Sequence, residues 1–131
     1  MLRSLSWRSR PSDDRLRLGR RGERAAAKFL KRRRCRVLVR NYRCPAGEID
    51  LICSDADAIV FVEVKTRTGD DAQDPQEAIT PGQWRRIENA ARYFILSRSV
   101  EHRPARFDVV TVLWPADGKP HIEHFVDVRR S

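Results

Sequence analysis

Cysteine is scarce in this chain. Cys35, Cys44 and Cys53 are the only three, nine residues apart, with no CxxC pair among them. An odd count at that spacing fits neither a zinc site nor a disulfide framework. They are read as small apolar residues of a protein in a reducing cytoplasm. No apolar run approaches the roughly 20 residues a membrane span needs, so no membrane partner is expected. There is no internal repeat, and no recognition helix or aromatic stacking motif announces a base preference. The loop at 68–77 (TGDDAQDPQE) holds Asp70, Asp71 and Asp74. At calcium-loop spacing these acids lack the glycine and the terminal glutamate, which leaves a solvated acidic loop. Acid is nearly absent from the front of the chain. Residues 1–43 carry 16 basic and 3 acidic side chains, against 11 and 15 in the remainder. So uneven a balance suits an electropositive arm or face beside a separate acidic site.

At 131 residues the chain is long enough for one domain with a real core, not two. Met1–Arg17 is rich in Arg and Ser, but Asp13, Asp14 and the lack of an apolar core argue against a targeting peptide. It is expected to be a disordered basic tail (1–17) ahead of one domain (18–131). A helix is predicted from Arg20 to Arg33, its apolar part being Ala25–Ala27, Phe29 and Leu30. Strands follow at Val37–Tyr42, Gly47–Cys53 and Ile59–Thr66. Thr80-Pro81 opens a second helix to about Ser97, with Ile79, Gln83, Ile87, Ala90 and Phe94 on one stripe. Gln83 has two readings: a capping-box partner of Thr80, or a side chain aimed inward at a phosphate or a nucleophile. Arg106–Trp114 reads as a strand with Phe107, Val109, Thr111 and Leu113 on one face. The Asp117-Gly118 hairpin signal leads to a last strand at His121–Val126. His121 and His124 are expected on the strand surface. The element order gives an α/β domain with a mixed β-sheet flanked by two main helices.

Charges stand where the strands should be apolar. Asp50 lies within Ile49–Ile52, and Glu63 and Lys65 interrupt Ile59–Lys65. Buried and unpaired, each would be costly. The residues between the two runs, 54–58, are small and polar, as a hairpin connection should be. An even-length loop centred between Ala56 and Asp57 sets Asp50 opposite Glu63, with Cβ atoms about 4.5–5.5 Å apart. Like charges repel there unless both reach one Mg²⁺. Lys65, two residues beyond Glu63, projects to the same face. The competing reading is a surface ladder of ion pairs, with Lys65 opposite Glu48. Glu23 likewise has two readings: a first-turn acid favoured by the helix dipole, or a third carboxylate reaching the same centre.

These residues resemble those of the YraN-like family of small bacterial proteins, over about residues 18 to 128. The carriers are Gly19-Arg20-Arg21-Gly22-Glu23, Asn41-Tyr42, Gly47–Ile52, Phe61–Arg67 and Arg106–Val110. The resemblance implies the restriction-endonuclease-like core shared with archaeal Holliday-junction resolvases. It places Asp50, Glu63 and Lys65 on the acid-then-E-x-K motif of PD-(D/E)xK nucleases, and Glu23 on the helix-borne acid of the resolvase-like branch. Where relatives usually carry Lys in the second helix, this chain has Gln83, which puts in doubt any role needing a positive charge there.

The function so implied is a Mg²⁺- or Mn²⁺-dependent DNA endonuclease, acting on branched or junction structures. Asp50, Glu63, the Val64 carbonyl and Glu23 would be the metal ligands; Lys65 and Gln83 would complete the catalytic set. Arg20, Arg21, Arg67, Arg85 and Arg86 are the candidate phosphate contacts. By analogy with resolvases the chain would pair as a homodimer. Two alternatives remain: a non-catalytic nucleic-acid-binding module that keeps the fold, or an adaptor in a DNA-processing assembly.

Overall fold

The computed structural model describes residues 13–69 and 79–129. Its first element, helix α1, spans Asp13–Arg32 and so begins seven residues before the predicted start. Asp13 and Asp14 in the first turn and Lys31 and Arg32 in the last both complement the helix dipole. The last five residues of the expected tail therefore belong to this helix, and residues 1–12 lie outside the described part. The helix stops at Arg34, which takes a left-handed φ of 62°. Cys35 N–H donates to the Leu30 carbonyl at 2.9 Å and Arg34 N–H to that of Lys31 at 3.1 Å, closing a Schellman motif without glycine.

Five strands follow: β1 (Arg36–Cys44), β2 (Gly47–Ser54), β3 (Ile59–Thr68), β4 (Ala105–Trp114) and β5 (His121–Arg129). Helix α2 (Pro81–Arg98) lies between β3 and β4. The sheet order is β1-β2-β3-β4-β5. Only β3 and β4 run parallel, as a strand–helix–strand crossover requires; the other pairs are antiparallel. The acidic loop lies, from residue 70, outside the described residues.

A helix on each face gives two cores. Ala26, Ala27 and Leu30 of α1 cover Leu51, Cys53, Val60, Val62, Val64, Val110 and Val112. Trp84, Ile87, Ala90, Ala91 and Phe94 of α2 cover Ile49, Ile52, Ile59, Phe61, Phe107 and Val109. The central strand β3 feeds both by simple alternation, hence its near-continuous apolar run. Two glycines permit close approach. A Cβ on Gly22 would overlap the Thr66 side chain, so α1 can press on β3 only without one. Gly47, at φ 156°, meets the Arg86 backbone, seating the β1–β2 turn against α2. No helix among the described residues is long and apolar enough to cross a membrane.

Candidate active site

The β2–β3 ladder runs in the anticipated register, from Ser54–Ile59 through Leu51–Val62, and the next positions along are Asp50 and Glu63. Pairing stops there. Leu51 packs beneath α1, whereas Ile49, two residues earlier, packs against α2, so the strand rolls over at Asp50. Beside it on β1, Asn41 adopts a left-handed φ of 51°, and its neighbour Tyr42 pairs with Ile49. This differs from the simple same-face picture. The roll carries the Asp50 carboxylate into the opening between the strands, where its Oδ2 accepts the Val64 N–H at 2.8 Å. In a strand the carbonyl of a residue points to the same side as its N–H, so the Val64 carbonyl faces this opening too.

Glu63 closes on Asp50 from β3. Burial first, then the Glu63 charge, pushes the Asp50 carboxyl well above its ordinary pKa, against the Val64 N–H and the Lys65 charge. Lys65 Nζ lies 3.4 Å from Glu63 Oε2, with both side chains largely shielded from solvent. The ion-pair ladder is not what forms: Glu48 pairs instead with Arg43 at 3.6 Å, out in solvent. Glu23 comes from α1 and is half-buried. Its carboxyl is raised, by burial and then by the charge of Asp50, while Asn41, Arg20 and Arg43 act in the opposite sense. Glu23, Asn41 and Asp50 open on one cavity of about 330 Å³ between α1 and the β1–β2 hairpin, with Arg20 and Arg43 at its edge.

The remaining candidates divide. Gln83 takes the capping role: its Oε1 accepts the Thr80 N–H at 2.9 Å while its own N–H donates to Thr80 Oγ1 at 3.1 Å. The amide oxygen wanted for an inward catalytic role is thus engaged at the helix start. Arg20 borders the acidic cavity. Arg21 lays its guanidinium over the Trp114 ring, 4.3 Å from the centroid. Arg67 follows Lys65 along β3, and Arg85 and Arg86 are exposed on the first turns of α2. Among the described residues no three carboxylate, imidazole or thiol groups converge on one point as they stand. Asp50 and Glu63 meet as a pair, and Glu23 approaches near enough for its charge to be felt.

A second charged group was not foreseen. Asp108 on β4 is fully buried, and His124, expected on the surface, is only 4% exposed. Asp108 accepts from Arg106 Nε at 3.0 Å, from His124 Nε2 at 2.7 Å and from Asp127 N–H at 2.9 Å. A bulge in β5, with Asp127 at φ 58°, delivers that last amide. Arg106 continues to Asp55 in the β2–β3 turn at 2.6 Å. Burial alone would raise the Asp108 pKa; the three donors outweigh it and hold the carboxyl below its usual range. The cluster ties hairpin, β4 and β5 together. Asn41 likewise carries no role in the sequence reading, though an Asn inside a strand is the kind of residue strands disfavour.

A mixed five-stranded sheet with a helix on each face and an acid, E-x-K set at the splayed end of two strands is the restriction-endonuclease-like core. The chain belongs to the uncharacterised protein family UPF0102, whose model matches residues 22–112. It is 42% identical over 120 residues to a UPF0102 protein of Geotalea uraniireducens, covering 92% of this chain and 94% of that one. It is 42% identical over 115 residues to one of Pelotomaculum thermopropionicum (87% and 96%). With one of Anaeromyxobacter dehalogenans it shares 43% over 113 residues (86% and 84%).

Proposed function

We propose that this chain is a divalent-metal-dependent DNA endonuclease that acts on branched or junction DNA in the cytoplasm. The observation that carries the reading is the Asp50–Glu63 pair at the point where β2 and β3 part, with Lys65 3.4 Å from Glu63. The donor set fits Mg²⁺ or Mn²⁺: all its groups are hard oxygens, and the two carboxylates repel until a cation compensates them. Asp50, Glu63 and the Val64 carbonyl would hold the ion, with Glu23 joining from α1. A cation there supplies Lewis-acid polarisation of the phosphate and a lowered pKa for water. The Lys65 ammonium orients the attacking water or neutralises charge developing on the phosphate, and Arg20 holds the neighbouring backbone. Gln83 drops out of the catalytic set because its oxygen caps α2. Resolvase-like cutting of two strands would use two copies of the chain related by a two-fold axis.

The test is Mg²⁺-dependent cleavage of flaps, forks and four-way junctions. Wild type is expected to cut, and Asp50→Asn and Glu63→Gln to abolish cutting; undiminished cutting by either variant overturns the assignment. The non-catalytic reading has one observation in its favour, that three ligating side chains do not converge among the described residues. It predicts salt-sensitive binding of DNA without turnover in any divalent metal.

A further inference from the structure

Between Glu23 and Glu48 there is no acidic side chain, but there are nine basic ones. A helix kept soluble by a solvated charged face normally alternates sign, because pairs three or four residues apart stabilise it and like charges do the reverse. Here Arg24, Lys28 and Lys31 follow one another along a single face of α1. Arg36 and Arg40 stand across from them on the edge strand β1. These five line a cavity of about 580 Å³ floored by Ala27 and Val37. Among the described residues none of the five forms an ion pair.

The basic groove is continuous with the acidic site. A passage of about 180 Å³ is lined by Arg24 and Arg40, shared with the groove, and by Glu23 and Asn41, shared with the acidic cavity. The helical cations from Arg20 to Lys31 extend roughly 16 Å along α1 at 1.5 Å per residue. A cavity of about 580 Å³ between one helix and one edge strand has room for a stretch of a single extended chain and is far too small for a duplex. No aromatic side chain lines the groove, so bases would not be read by stacking.

We propose that the α1–β1 groove binds the phosphates of one unpaired DNA strand leaving the acidic site, so that the preferred substrate is a duplex with a single-stranded tail. The proposal rests on the nuclease reading for its direction, not for its test. Binding is measured by fluorescence anisotropy in EDTA over a salt series, so turnover plays no part. The probes are a tailed duplex, the matching blunt duplex, and vesicles of mixed phosphatidylserine and phosphatidylcholine. Wild type is expected to prefer the tailed duplex. Arg24→Ala/Lys28→Ala/Lys31→Ala should bind it at least about tenfold more weakly. Its log–log salt slope should be shallower by about 2, at roughly 0.7 per lost single-strand contact. Arg24→Lys/Lys28→Arg/Lys31→Arg, which keeps the charge, should restore both. Equal affinity and slope in the alanine variant, equal binding of blunt and tailed duplexes, or stronger binding to vesicles than to the tailed duplex each overturns the proposal. Loss of tail binding in a protein that never cuts leaves the groove standing and removes the nuclease. Cutting by wild type with unaltered binding in the alanine variant removes only the groove.

Discussion

Asp50→Asn should make the metal-free protein more stable, and the argument needs no enzymatic activity. The wild-type carboxyl is half-buried, faces Glu63 and has its pKa raised well above the ordinary range. The native state therefore holds this proton more tightly than the unfolded chain does. Between the unfolded pKa near 3.9 and the higher folded value the native state binds more protons, so stability falls as pH rises through that window. Above the folded value the whole cost is present, about 1.4 kcal/mol for each unit by which the carboxyl is raised. Asparagine carries no charge, and its side-chain oxygen can still accept the Val64 N–H that Asp50 accepts at 2.8 Å. The variant should be more stable near neutral pH by about 1–2 kcal/mol, within the gain that single stabilising substitutions commonly bring. For a domain of this size that is a rise in Tm of roughly 4–8 °C. The gain should vanish below the unfolded pKa, where the wild-type group is protonated in both states.

The assay is urea and thermal unfolding of both proteins across a pH series, with EDTA and with Mn²⁺. Wild type should gain from the cation, by about 2.7 kcal/mol at a hundredfold excess over Kd, and the variant should not. A variant less stable than wild type near neutral pH would refute the reasoning. So would a difference that does not change with pH. Asp50 would then be a structural acceptor for a strand amide, not a strained ligand.

Substitutions at three other positions test the architecture around the site. Gly22→Ala forces a Cβ against Thr66, where Thr66 Cβ would be only 2.8 Å away; unfolding should show a loss of about 1–3 kcal/mol as α1 lifts from β3. Gln83→Ala should cost about 0.5–1 kcal/mol by opening the capping box, yet leave the Mn²⁺-induced stabilisation intact; losing that response would return Gln83 to the site. Asp108→Ala strands Arg106, His124 and the Asp127 N–H and should cost about 3–5 kcal/mol by urea unfolding. Asp108→Asn, which keeps an acceptor, should cost less. Because the folded pKa of Asp108 is depressed, its contribution is present above the unfolded pKa and lost as pH falls through the folded one.

What could be read from the sequence was what depends on parity and local chemistry. A loop of even length centred between Ala56 and Asp57 was one of two registers open to β2 and β3, an odd length shifting the pairing by one, and the ladder from Ser54–Ile59 to Leu51–Val62 takes the even one. The start of α2 was legible because Thr80, Pro81 and Gln83 are a local capping signal. Helix α1 begins seven residues before the expected Arg20, because Arg–Ser composition reads as a tail. Asp13 and Asp14 were counted against a targeting peptide but not recognised as a first turn that favours the helix. The roll at Asp50 is hidden because alternation assumes a flat strand; in the structure the split of Ile49 and Leu51 between the two cores and the left-handed Asn41 beside them mark the departure.

The Asp108 cluster was hidden for a different reason. Its members come from three segments: Asp55 in a turn, Arg106 and Asp108 on β4, His124 and the Asp127 amide on β5. No spacing along the chain announces that meeting. It exists because a two-residue register shift in β5 carries the Asp127 N–H over to β4. The same physics governs both charged groups, with opposite outcomes. Asp108 is buried with donors enough to keep it ionised, so it braces the sheet at the end where β3 begins. Asp50 is half-buried with one amide, a rival carboxylate and only the Lys65 charge in compensation, so its carboxylate form is under-compensated. On the proposed function, satisfying one carboxylate fully and leaving the other short of positive charge separates the part that holds the fold from the part that would meet a ligand.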